Sequence, residues 1–175
     1  GQMLEIQRFD GSRASVINSG APVFDADGNI TGCAVAIQDI SDLRKAEKAL
    51  RAREEFFRQI FDQAAVGMAI LSPEGAWLQV NRRLCDMLGY SCDELRKRHF
   101  RDFTHPDHVE QDVARVRQMV EGVRNADAWE KRFIRRDGSV IWVRITTALS
   151  RDEHGRPKHF ISVTEDITDG KRADE

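Results

Sequence analysis

The chain holds three cysteines, four prolines, one tyrosine and no long apolar run, and each scarcity excludes something. Cys33, Cys85 and Cys92 are odd in number, share no C-x-x-C spacing and stand far from suitable histidines, which argues against a zinc site. They read as reduced thiols of a cytoplasmic protein. No stretch approaches the roughly 18 apolar residues of a membrane helix, and Gly1 opens no signal peptide. A surplus of one charge sign is missing too. Lys and Arg number 27 against 29 Asp and Glu, so a basic nucleic-acid surface is not indicated. There is no G-x-S-x-G elbow, P-loop, H-E-x-x-H or kinase signature, so no catalytic residue is assigned and catalysis is not expected.

What the chain does have is a repeat. "DISDLRKAE" at 39–47 returns as "DITDGKRAD" at 166–174, an offset of 127 positions. Over Asp10–Glu47 that offset preserves Asp10, Gly11, Ser12, Val16, Ala21, Asp25, Gly28, Asp39, Ile40, Asp42 and Ala46. Chance would give roughly two such identities, because each residue type makes up a small fraction of a chain. A period this long signals tandem domains rather than a solenoid. Only the tail of the first copy is present.

The local patterns follow suit. Residues 1–40 read as three short strands broken by "DGS" and "DADGN", where Asp-Gly pairs supply tight turns. Three strands alone make a poor core, so this piece is expected to need a partner surface. Residues 41–65 are rich in Ala, Leu, Glu and Arg, without Gly or Pro, and read as a connecting helix. Leu43, Leu50, Phe57 and Ala64 recur every seven positions, and Ile60 lies on the complementary row, a short seam suited to a second helix.

A second domain is expected over 66–170. "GMAIL" and "AWLQV" read as strands, Asn81 as the N-cap of a helix that Gly89 ends, and "SCDEL" as a capping box. "THPD" starts a longer helix with Val109, Val113, Val116 and Val120 as its buried stripe. Three strands follow. In the middle one Ile141, Val143 and Ile145 share a face, leaving Trp142 on the other, to pack under the connecting helix or against a second subunit. Residues 171–175 read as the start of an exit helix.

These features together resemble a PAS domain, a sensory module common in bacterial signalling proteins. The carrying residues are "AVGMAIL", "VNRRLCDMLGYSCDEL", "THPD", "RRDGSVIWV" and "VTEDIT", in order across 60–170. The resemblance implies an α+β fold with a five-stranded antiparallel sheet and flanking helices. Residues 4–48 resemble only the last three strands of the same fold and its exit helix, so the chain is expected to begin inside a preceding PAS domain. It further implies that Asp166, Ile167 and Thr168, with Asp39 and Ile40 in the first copy, couple sheet to helix as the signal path.

The family's small-molecule cavity lies between sheet and helices. Alternation nominates Met68, Ile70, Leu84, Phe103, Phe133, Val143 and Ile145 as its lining, and the same residues would equally serve as plain core. A flavin or small metabolite is the cofactor class in view. Adduct-forming flavin chemistry is not expected, since neither Cys85 nor Cys92 stands in an "NCRFLQ"-like motif. Of His99, His105, His108, His154 and His159, only His99 and His108 are placed as haem ligands would be, with no second feature for a porphyrin. The resulting expectation is a cytoplasmic, homodimeric sensory module of a histidine kinase or cyclic-dinucleotide enzyme. Its output domain would follow in the same parent chain; a ligand-free transmission module or part of a transcription regulator is the alternative.

Overall fold

The computed structural model describes residues 1–173. It divides into two compact units, Gly1–Phe57 and Arg58–Glu175. In the first, strands β1 (Gln2–Gln7), β2 (Arg13–Phe24) and β3 (Ile30–Asp39) form an antiparallel sheet in that order. The expected turns hold: the Asp10 carboxylate accepts from Ser12 N at 2.9 Å, and Asp25 Oδ1 accepts from Asp27 N at 2.9 Å and Asn29 N at 2.8 Å. Only Ala14, Val16 and Ile40 are buried there, while Met3, Leu4, Ile6, Val35 and Ile37 are exposed. A three-stranded sheet has one layer and nothing to fold its apolar face against.

Helix α1 (Ser41–Gln63) has no Gly or Pro to break it. In the second unit, β4 (Gly67–Leu71) and β5 (Trp77–Val80) precede α2 (Arg82–Leu88) and α3 (Cys92–Arg96). A 3-10 turn at Phe100–Asp102 leads to α4 (Pro106–Val120). Strands β6 (Ala126–Ile134), β7 (Val140–Arg151) and β8 (Pro157–Asp166) complete the sheet, and α5 (Thr168–Ala173) leaves it. The sheet is antiparallel, ordered β5-β4-β8-β7-β6, so the first strands insert beside the last. Glu175 and Asp174, part of the expected exit helix, lie outside the described residues.

Capping chemistry fixes the helix ends. Ser91 and Glu94 form the expected capping box, and Gly89 closes α2 at φ 77°, a left-handed conformation open to glycine. Asn81 does more than cap. Its Oδ1 accepts from Leu84 N at 3.0 Å and Met68 N at 2.8 Å, and its Nδ2 donates to the carbonyls of Phe61 at 2.8 Å and Val66 at 3.0 Å. This side chain is wholly buried and ties the end of α1, β4 and α2 to one point. The core between sheet and helices is centred on Leu84, Leu88, Leu95, Phe103, Met119, Phe133 and Val143.

One expectation fails here. Cys85 and Cys92, read as reduced thiols, are joined in a disulfide with their Cα atoms 5.7 Å apart, and only Cys33 is free. Seven residues of sequence separation hide the pairing; the Gly89 turn folds α3 back beside α2 and creates it. On α4 the expected valines Val113, Val116 and Val120 do pack, half-buried, against the core, and they share the inner face with Asp112 and Met119, the most enclosed residues of the helix.

Candidate functional site

Between the sheet and α4 lies a small cavity of about 50 Å³. Strand alternation places alternate residues of each strand against it: Trp129, Lys131 and Phe133 from β6, Ile145 and Thr147 from β7, Phe160, Ser162 and Thr164 from β8. Leu71, Trp77, Phe100, Asp112 and Val116 supply the other walls. Gly75 completes one edge at φ 95°, and a Cβ there would come within 2.6 Å of the Phe100 ring.

The walls are apolar apart from a buried polar cluster. Lys131 is 3 % exposed and Asp112 1 %, and the ammonium donates to Asp112 Oδ2. Nζ also donates to Thr104 Oγ1 at 3.1 Å, while Trp129 Nε1 donates to Asp112 Oδ1 at 2.8 Å. The rings of Phe133, Phe100 and Trp129 stand 4.9, 5.5 and 5.9 Å from Nζ, so aromatic faces surround the cation. Burial lowers the Lys131 pKa below lysine's ordinary value, and the Asp112 carboxylate acts against that. Thr147 and Ser162 face each other across two strands with hydroxyl oxygens 2.9 Å apart. Trp77 is 5 % exposed, yet its indole Nε1 has no hydrogen-bond partner among the described residues.

The seven nominated lining residues divide. Phe133 and Ile145 do line the cavity. Leu84, Phe103 and Val143 are fully buried but sit in the surrounding core, outside the lining. Met68 and Ile70 are corrected: they are half-buried, and the enclosed face of β4 carries Ala69 and Leu71 instead. "GMAIL" is apolar at every position, so its sequence cannot say which face turns inward, and an error of one residue reverses the whole strand. Lys131, Thr147, Ser162 and Thr164 on the strands, and Asp112 on α4, were missed because polar and charged residues ordinarily face water. One signal was present: the parity of Phe133 and Ile145, continued by two, reaches Lys131 and Thr147.

The histidines are committed elsewhere. His99 caps the 3-10 turn through Nδ1, accepting from Arg101 N at 3.3 Å, and its Nε2 is 2.6 Å from the Glu74 carbonyl. His108 Nε2 accepts from Arg132 Nε at 3.1 Å. Neither ring is poised as a haem ligand. Among the described residues no group of three or more His, Cys, Asp or Glu could hold a metal, and no helix is long and apolar enough to cross a membrane.

The two junctions share one geometry. Thr168 N donates to Asp166 Oδ1 at 3.0 Å, Trp142 N donates to Thr168 Oγ1 at 3.0 Å, and Ile167 N donates to the Trp142 carbonyl at 2.9 Å. Arg135 holds Asp166 at 3.2 Å. In the first unit Ser41 N donates to Asp39 Oδ1 at 2.9 Å, Ser15 N to Ser41 Oγ at 3.0 Å, Ile40 N to the Ser15 carbonyl at 2.8 Å, and Arg8 holds Asp39. Every partner is displaced by the same 127 residues. Trp142 lies on the outer face as expected, and there its ring is flanked by Arg132 and Lys171, each 5.5 Å away, and by His108 at 5.8 Å.

A sheet inserted in this order, a cavity against its inner face and a capped exit at its last strand define a sensory-domain fold. The PAS fold model matches residues 55–167, more than half of the chain, and a PAS domain model matches residues 2–42. The chain therefore belongs to the PAS family. It is 37% identical over 132 residues to a probable diguanylate cyclase, DgcE, of Escherichia coli K12, and 36% identical over 131 residues to the C4-dicarboxylate transport sensor protein DctS of Rhodobacter capsulatus. These matches take in 75% and 74% of this chain but only 12% and 20% of those proteins. The PAS domain of an HTR-like protein from Haloarcula marismortui superposes with a TM-score of 0.61 at 24% identity, over 71% of this chain and 99% of that one. A sensor histidine kinase, TmoS of Ectopseudomonas mendocina, matches at 23% identity over 133 residues, 76% of this chain and 14% of that protein. The chain is thus a PAS module of the kind found in diguanylate cyclases and sensor histidine kinases, and it corresponds to a small part of far longer proteins.

Proposed function

We propose that residues 58–173 bind a small molecule in the cavity under α4 and pass the occupied state to α5 through Asp166, Ile167 and Thr168. The observation that carries this is the position of β7. Ile145 and Thr147 line the cavity, and Trp142, three residues before Ile145 on the same strand, exchanges hydrogen bonds with Ile167 and Thr168. A shift of the strand at one end is felt at the other. For signalling, the ligand must favour one arrangement; a tenfold preference corresponds to about 1.4 kcal/mol. The output would be a cyclic-dinucleotide enzyme or histidine kinase domain of the same parent chain, a reading supported by the names of the relatives. Native mass spectrometry of gently purified protein, with a thermal-shift screen of metabolites, tests it. A co-purifying small molecule or a saturable stabilisation is expected; a bare mass and a flat screen would count against ligand sensing.

A second reading concerns α1. Leu43, Leu50 and Ile60 are 59, 59 and 55 % exposed. An apolar seam left facing water favours a second copy of the helix, which would make α1 the dimerisation element and carry strain between consecutive PAS units. The cavity size bears on cofactors as well. Ligand pockets for drug-sized molecules run to roughly 300–1,000 Å³, so a flavin would require the walls to part, and a small metabolite fits better.

A further inference from the structure

The polar groups of the residues that line the cavity are matched in charge and unmatched in hydrogen bonding. Asp112 has both oxygens engaged, by Trp129, Lys131 and Thr104, and its charge is balanced by Lys131. Several donors are left over beside the lone pairs of the hydroxyls. The Trp77 indole N–H has no partner among the described residues, and Lys131 directs two contacts to Asp112 and Thr104 although an ammonium carries three protons. The Thr147 and Ser162 hydroxyls share a single hydrogen bond, which leaves one O–H unspent. A buried donor without an acceptor is destabilising, so a site that retains one nine-tenths enclosed is completed by something that accepts.

Resting on the reading of this cavity as the ligand site, we propose that it takes a small uncharged molecule bearing a carbonyl-type acceptor, such as a compact ketone or amide, held by the Trp77 indole N–H. Charge selects against the alternatives. A carboxylate would add a negative charge to a site whose one cation is already paired, and an ammonium would meet a carboxylate whose bonds are already taken. Size sets the upper bound: a single water needs roughly 10–15 Å³ on this measure, so about 50 Å³ admits only a handful of heavy atoms. The aromatic and aliphatic walls of Leu71, Phe100, Phe133 and Phe160 then hold the ligand's apolar part.

The test is a titration of the ¹⁵N-labelled chain with acetone, acetamide, sodium acetate and dissolved xenon, each in turn, reading the three tryptophan indole resonances. Acetone or acetamide is expected to move the Trp77 signal downfield and saturably, with acetate at equal concentration leaving it in place. Trp77→Phe should weaken acetone or acetamide binding about threefold to tenfold, the worth of one hydrogen bond, and leave xenon binding unchanged. If xenon enters but neither carbonyl compound does, or if acetate binds more tightly than acetamide, the ligand class is wrong while the cavity still stands as a binding site. If no probe enters, xenon included, both the class and the cavity reading fall. Should the variant not fold, the titration of the unaltered chain decides between these outcomes.

Discussion

Lys131 and Asp112 show what burial does to a charge. Each ion gives up hydration worth several kcal/mol, and only their mutual contact with Thr104 and Trp129 makes the arrangement tenable. Removing one partner strands the other. Lys131→Met is therefore expected to lower unfolding stability by about 3–5 kcal/mol in urea titrations, while adding Asp112→Leu should restore much of the loss. If the double variant were as unstable as the single one, the pair would not be the source of the cost. Asn81 is the other buried polar side chain with several dependants. Asn81→Ala forfeits a cap and leaves Met68 N, Phe61 O and Val66 O without this partner, and should cost at least about 2 kcal/mol in the same assay. A loss under about 0.5 kcal/mol would mean that water replaces the side chain.

At the scale of elements, the junctions are defined by carboxylates placed where a strand hands over to a helix. Asp39 is held down to a pKa of about 2, first by the Ser41 hydroxyl and amide and then by Arg8. Because its value falls below the ordinary 3.8, this support is complete above pH 3.8 and is lost as the pH drops through about 2. The Ser41 amide resonance should follow that titration, with its midpoint near 2; a midpoint near 3.8 would show that the contact is not made. The α2–α3 corner carries a covalent link in addition. With Cys85 and Cys92 joined, thiol titration of the unfolded, unreduced chain should find one reactive group, Cys33. Reduction should then cost about 2 kcal/mol, the chain-entropy value for so short a loop. Three thiols before reduction would refute the link.

On the scale of the whole molecule, two PAS-like units recur in one chain, and each ends in the same network of arginine, aspartate and hydroxyl. The first unit exposes much of its apolar sheet, whereas the second encloses a core and a cavity. Helix α1 carries the residues that would bring two copies together. Leu50→Glu is expected to convert a dimer to a monomer in sedimentation velocity without altering the fold of residues 58–173; a monomer before any substitution would remove the dimer reading. That outcome would leave the ligand cavity untouched, since none of its lining residues belongs to α1.

Turn signals and capping residues are local facts, and with the helix and strand periodicities they specified the order and type of the strands and α-helices in advance, though not the 3-10 turn at Phe100–Asp102. Asp-Gly turns, the Ser91–Glu94 box and Gly89 act within a few residues, so their consequences can be read without knowing the fold. The interior of the site is different in kind. Whether "GMAIL" turns Ala69 or Met68 inward, whether Lys131 meets water or Asp112, and whether Cys85 reaches Cys92 depend on which surfaces the sheet and helices present to each other. Burial is a property of neighbours distant in sequence, and only the tertiary structure, by laying α4 across β6, β7 and β8, turned five polar residues into the lining of a pocket.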